Sequence, residues 1–150
     1  MSLLGRIVAR IYGTSLPAFA SLDEASSALT SSKDEILRLF LAEHSTRLVL
    51  DFSFESLKRV ELWFLSAGSP DKGCGGYSTP HAIGYYFGEV LCNCAGFEWT
   101  VQEYAFEPGK YELGVNRGLV TVMLARGWNF PSANNKKMQS LWREARKYAI

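Results

Sequence analysis

The stretch KGCGGYSTPHAIGYYFGEV, residues 72–90, brings a thiol, a glycine cluster, an imidazole and a carboxylate close together in the chain. Cys74 as nucleophile, His81 as its base and Glu89 as the carboxylate that orients the base would suit acyl transfer. A helix over this stretch sets His81 and Glu89 about 12 Å apart along its axis, too far for a direct hydrogen bond. What remains is a Cys74–His81 pair, without the local signature of a cysteine hydrolase. Gly73, Gly75 and Gly76 before a helix also suit an anion, because the free N–H groups of a first turn attract negative charge. Neither G-x-x-x-x-G-K-[ST] nor a strand-to-helix G-x-G-x-x-G is present, and Pro80 removes one donor. An enzyme or small-ligand protein built on Cys74, His81 and Glu89 therefore stands as an alternative reading.

The other reactive residue types point elsewhere. Cys92 and Cys94 are two apart on a helix, about 200° around it, so they cannot share an ion. No metal site and no cofactor are expected. His44, near a helix C-terminus, is expected to interact with the last carbonyls. Glu89, mid-helix beside Gly84 and Gly88, is expected to be exposed or to bond the N-terminus of the helix that begins at Ser53.

These residues must be positioned by one domain. A chain of 150 residues is long enough for one core, and residues 1–150 read as a single α+β domain. With 47% hydrophobic and 21% charged residues the composition is that of an ordinary folded protein. Three cysteines form no paired framework, which fits reduced thiols in the cytoplasm. No run approaches the ~20 apolar residues of a membrane span. Arg6 and Arg10 precede IYGTSLPAFAS, which ends in a small-x-small pattern, but Gly13, Thr14, Ser15 and Pro17 make a poor export signal. The net charge of +1 hides an asymmetry. Residues 1–50 sum to zero, residues 51–107 to −5 and residues 108–150 to +6, which gives an acidic and a basic side if these segments lie on different faces.

Leu3, Leu4, Ile7, Val8 and Ile11 recur at helical spacing and predict a short helix docked on the core. SLDE and SKDE, with Ser21 and Ser32 as caps and Glu24 and Glu35 three residues on, predict two successive helix starts. The second turns Ile36, Leu37 and Phe40 inward. Ser53 as cap, with Phe52 and Leu57 as a hydrophobic staple, predicts a helix that buries Leu57, Val60, Phe64 and Leu65 and stops at Gly68. Residues 66–79 read as a loop, slack before Pro80. Thr79 as cap and Pro80 at the first helical position start a core helix that Gly96 ends. Its apolar face is Ile83, Tyr86, Phe87, Val90, Leu91 and Cys94. Gly84 and Gly88 predict a notch for a crossing helix, the Ser53 helix being the expected neighbour. Alternation then predicts a three-stranded antiparallel meander: Phe97 to Phe106 with a bulge, a type II turn at EPGK, YELGV, a turn at NRG, and a largely buried LVTVMLAR. Met138, Leu141, Trp142 and Ala145 predict a C-terminal helix whose outside carries Lys136, Lys137, Arg143, Arg146 and Lys147.

LDFSFESLKRVELWF followed by GYYFGEVLCNCAGFEW resembles a group of small, mostly uncharacterised bacterial proteins. In these an LD-x-S-x-x-SL helix start precedes a G-x-Y-x-GE helix and a Gly-x-x-Trp strand. The matching positions are Leu50, Asp51, Ser53, Ser56, Leu57, Gly84, Tyr86, Gly88, Glu89, Gly96 and Trp99, and the match covers about residues 48–101. The resemblance implies that these residues are architectural and that the N-terminal 45 residues and the last helix lie outside the shared region. Some similar stand-alone domains are immunity proteins, which implies a cognate toxin or effector protein as partner. The acidic strand region with Glu98, Glu103 and Glu107 could likewise cover a basic site on a partner. A non-enzymatic inhibitor is the function expected. Nucleic-acid binding through the basic last helix is a third reading, though scattered Lys and Arg usually mark a solvated face.

Overall fold

Ser21 opens the first helix, α1 (Leu22–His44), its hydroxyl accepting from the Glu24 N–H at 3.2 Å. The coordinates form a computed structural model, and the structure describes residues 16–124 and 141–150. The expected helix over residues 3–11, the arm with Lys136, Lys137 and Met138, and residues 125–126 of the predicted third strand lie outside the described residues. One helix replaces the two predicted from SLDE and SKDE. Ser32 sits exposed in its middle, and Glu35 turns to Arg38 (2.6 Å) rather than to a cap. The buried side, Ala25, Lys33, Leu37, Phe40 and His44, runs unbroken past it. A continuous buried stripe outweighs a local start signal.

Helix α2 (Phe54–Ser66) starts where expected. Ser53 Oγ accepts from Ser56 N–H at 3.2 Å. Asp51 Oδ1 accepts from both the backbone N–H and the hydroxyl of Ser53, at 3.1 and 2.6 Å. The helix ends in a Schellman motif: Gly68, at φ +81°, donates to Leu65 and Ser69 donates to Phe64. Leu57, Val60 and Phe64 are buried, but Leu65 is exposed, because it lies at the edge of the stripe in the last turn.

Helix α3 (Thr79–Ala95) is capped by Ser78 rather than by Thr79. Thr79 is already helical, and Pro80 still falls within the first turn, where its missing N–H is harmless. Gly96 closes the helix at φ +71°. This helix is buried on nearly every side, including Tyr85 and Tyr86, and packs on α1, on α2 and on the sheet.

Strands β1 (Glu98–Glu103), β2 (Tyr111–Arg117) and β3 (Val120–Met123) form the antiparallel meander β1-β2-β3. The β1–β2 register runs without a bulge from Glu98↔Asn116 to Glu103↔Tyr111. The apparent change of phase after Gln102 arises because Tyr104 and Phe106 belong to the turn. Gly109, at φ +85°, and the Lys110 N–H donating to Glu107 O make the expected type II turn at EPGK. The second turn is Gly118–Leu119, one step later than NRG, since Arg117 still pairs with Val120. Strand β3 is half open instead of largely buried, and Leu119 at its tip is fully exposed.

The sheet rests one face on α1 and α3. Helix α4 (Leu141–Arg146) packs on α2, burying Leu141 and Ala145. A six-residue helix lacks the length to hold itself in water, and tertiary contacts fix this one. The buried Glu61 carboxylate accepts from Leu141 N–H at 3.1 Å, and Trp142 Nε1 donates to Glu55 at 3.0 Å.

The glycine notch is real, but another element fills it. A Cβ at Gly88 would come within 2.5 Å of the Trp99 ring and 2.6 Å of Leu124. Gly88 thus admits side chains from the sheet region, not the backbone of α2 as expected. Gly84 is buried in the same helix.

Candidate functional site

The loop between α2 and α3 is the feature most changed by the fold. Lys72 bridges to Ser78, Gly73 N–H donates to Tyr77 O, Gly76 N–H to Gly73 O, and Thr79 N–H to Asp71 O. The segment expected to be slack is a small closed turn.

Glu43, at the end of α1, holds this turn in place. Its Oε1 accepts from Cys74 N–H at 2.8 Å, and its Oε2 accepts from the Tyr77 hydroxyl. Burial works against the charge, but the hydrogen bonds from Cys74 and Tyr77 hold the Glu43 pKa at about 2. The nearby Glu43 carboxylate also disfavours the Cys74 thiolate and raises the thiol's pKa above that of an ordinary cysteine. A nucleophilic thiol needs the opposite shift.

His44 follows Glu43 and turns into the core. Its ring lies 4.1 Å from Trp63 and 4.9 Å from Phe40, centroid to centroid. Glu43 Oε2 approaches Nε2 to 2.9 Å, out of line for a hydrogen bond, so both ring nitrogens are unpartnered. Burial pushes the imidazole pKa down, outweighing the neighbouring carboxylate. The carbonyl of His44 accepts from Arg47 and Leu48, so the backbone, and not the ring, serves the helix end. Thr79 Oγ1 is likewise buried and unpartnered. A buried polar atom left without a partner costs about 1–3 kcal/mol. His44 and Thr79 line one cleft of about 650 Å³. Leu39, Trp63 and Pro70 form its apolar walls, and Arg47 and Lys72 stand among its lining.

The residues singled out from the sequence do not converge here. Cys74 faces Glu43. His81 Nδ1 lies 2.8 Å from Ser78 Oγ. Glu89 accepts from Trp99 Nε1 at 3.0 Å and lies 3.7 Å from Lys33 Nζ. The expected bond from Glu89 to the start of α2 is made instead by Tyr86. Its oxygen accepts from Phe52 N–H at 3.1 Å, and its hydroxyl donates to Ser56 Oγ at 2.7 Å. Phe52 is held at φ +60°, unusual for a bulky residue. Its carbonyl accepts from Asn93 and from the Cys94 thiol, and its ring stacks on Tyr86 at 5.3 Å. Ser56, Tyr86, Gly88, Glu89 and Trp99 thus act as joints between α1, α2, α3 and β1, while Asp51 and Ser53 bond within the start of α2.

Glu98 and Glu103 are exposed at opposite ends of β1, about 17 Å apart at ~3.4 Å per residue, and an offset of five puts them on opposite faces. Glu107 lies in the following turn. Just past α4, Lys147 bonds Glu144 at 2.8 Å, and on the helix itself the Arg146 guanidinium lies over Phe54 and Trp142.

Sequence reading finds Cys74 and His44 but misses Glu43, Tyr77, Trp63 and Thr79 as members of one site. The one available signal is an aromatic residue, Tyr77, following three glycines. Among the described residues no group of three His, Cys, Asp or Glu could hold a metal ion, and no helix is long and apolar enough to cross a membrane.

Fold and site together define a small α+β domain with a cleft closed by a latched loop. The chain belongs to the family described as uncharacterised protein YwmA, whose model matches residues 19–149. The shared region therefore takes in α1 and α4, which the resemblance leaves outside. Neither the curated proteins nor the solved structures give a match.

Proposed function

We propose that the chain is a non-enzymatic binding protein of the immunity type, which covers a toxin or effector protein in the cytoplasm. The observation that carries this reading is Phe106. It is 41% exposed at the β1–β2 turn, between Glu103 and Glu107, with its ring against Tyr104 at 5.7 Å. The turn is pre-formed. Tyr104 N–H donates to Lys110 O at 2.7 Å, Glu107 N–H to Tyr104 O, and residues 17–19 strap its base through Phe19 N–H to Gly109 O and Tyr111 N–H to Pro17 O. An aromatic anchor on rigid backbone loses little entropy on docking, and flanking carboxylates favour a basic partner and speed encounter. Glu98, on the other face, takes no part in a flat contact centred on Phe106.

The dispersal of Cys74, His81 and Glu89 into three separate hydrogen bonds supports this reading over an acyl-transfer enzyme. The test is co-expression with the product of the adjacent gene. Relief of its toxicity and co-purification are expected, and Phe106→Ala should weaken the complex by about tenfold or more. A product that is neither toxic nor co-purified would refute the function. Full binding by Phe106→Ala would refute the surface.

A further inference from the structure

The cleft between the end of α1, the end of α2 and the latched loop has a volume of about 650 Å³, within the range of small-molecule sites. Its polar floor is unusual. His44 is 3% exposed and Thr79 1% exposed, yet His44 Nδ1 and Thr79 Oγ1 lack hydrogen-bond partners, while His44 Nε2 has the Glu43 carboxylate beside it at 2.9 Å, out of line. Buried polar groups in native proteins are almost always satisfied. Two unmet atoms along one cleft point to a guest that completes them. A threonine hydroxyl and an imidazole can each donate and accept, so they suit a hydroxyl or carbonyl group.

The lining narrows the class of guest. Trp63 is half-buried and offers a flat aromatic wall, with Leu39 and Pro70 beside it. Arg47 and Lys72 are exposed and form no ion pair with the described residues. Glu43, the only carboxylate among the described residues of the lining, is committed to Cys74 and Tyr77 and lies against His44 Nε2. A neutral polar floor, an aromatic wall and two free cations among the described residues together match a planar acid.

We propose that this cleft binds a small aromatic carboxylate. The ring of the guest lies along Trp63, its acid group meets Arg47 and Lys72, and a hydroxyl or carbonyl on the ring bonds His44 and Thr79. Entry requires the floor to open slightly, and the Ala67–Ser78 loop, held to α1 by Glu43, is the part that yields.

The test uses the full chain and 4-hydroxybenzoate, with 4-hydroxybenzyl alcohol as the uncharged match and inorganic phosphate as the anion without a ring. The chain has two histidines, so the imidazole nitrogen resonances of His44 can be followed directly, with His81→Gln to assign them. Saturable shifts of the His44 nitrogens by 4-hydroxybenzoate are expected, with the alcohol at least about tenfold weaker. Arg47→Ala with Lys72→Ala, both on the surface, should weaken binding by a similar factor without altering the fold. Thr79→Ser should retain binding and Thr79→Val should lose it. An unmoved His44 signal at millimolar 4-hydroxybenzoate would overturn the proposal. So would equal binding of the acid and the alcohol, unchanged affinity in the double variant, or shifts produced equally by phosphate alone.

Discussion

The Trp99 indole occupies the hollow left by Gly88, and the Glu89 carboxylate beside that hollow receives the indole N–H at 3.0 Å. Two residues adjacent in the chain therefore seat one side chain, since glycine makes room for the ring and glutamate fixes its orientation. Lys33 from α1 completes the joint with its Nζ 4.5 Å above the same ring.

Gly88→Ala tests this joint. Alanine gains about 1 kcal/mol of helix propensity, but its methyl group would sit 2.5 Å from a packed, rigid indole. Overpacking costs typically about 1–3 kcal/mol, so a net loss is expected. A lower urea midpoint at unchanged m-value is the predicted result. A midpoint equal to or above the parent's would show that Trp99 has room to move.

Tyr86→Phe removes the hydroxyl that joins α3 to the start of α2 and leaves the Phe52 N–H and Ser56 Oγ one partner short. The expected cost is about 1–3 kcal/mol. Hydrogen exchange gives a local check, because the Phe52 amide should exchange faster in the variant even after correction for global stability. Unchanged protection there would refute the role.

Glu43 makes stability depend on pH in the acid range. Its folded pKa of about 2 lies below the ordinary glutamate value of 4.5, so its contribution is full above about 4.5 and is lost as pH falls towards 2. Glu43→Gln should be less stable at neutral pH and should lose less stability across that window. The same change should speed alkylation of Cys74 by iodoacetamide near neutral pH, since Glu43 is what raises the thiol's pKa. A Cys74 that is already fast in the parent would contradict the geometry.

His44 acts at a higher pH. Burial lowers its folded pKa below 6.5, so the unfolded chain takes up the proton first, and stability declines as pH falls below about 6.5. His44→Phe keeps an aromatic ring beside Trp63 and removes the titration. Its denaturation midpoint should vary less than the parent's below that pH. Identical pH profiles for the two proteins would show that the imidazole titrates as in the unfolded chain.

Local chemistry explains which parts of the fold can be read in advance. The Ser53 cap, the stop at Gly68 and the EPGK turn each depend on residues only a few positions apart, and all three are legible. The Ser32 start misleads because a cap sequence competes with the burial of Leu37, Phe40 and His44, which only the folded core supplies. The notch at Gly88 is legible as a notch, but its occupant, 11 positions away in the next strand, is not. The cleft is the least legible part. Glu43 and Tyr77 lie 34 residues apart, and neither stands out until the chain has brought the loop against the end of α1.

Arg117 Nη1 donates to Ala95 O and Tyr148 O, each at 2.7 Å, and its guanidinium lies 4.7 Å from the Phe97 ring. One side chain on the middle strand thus fastens both the end of the central helix and the tail of the polypeptide. The last ten residues borrow their shape from this clasp and from Glu61. Any alteration that frayed the sheet edge near Gly118 would therefore be felt as loosening at the carboxyl terminus, a remote effect carried by a single cation.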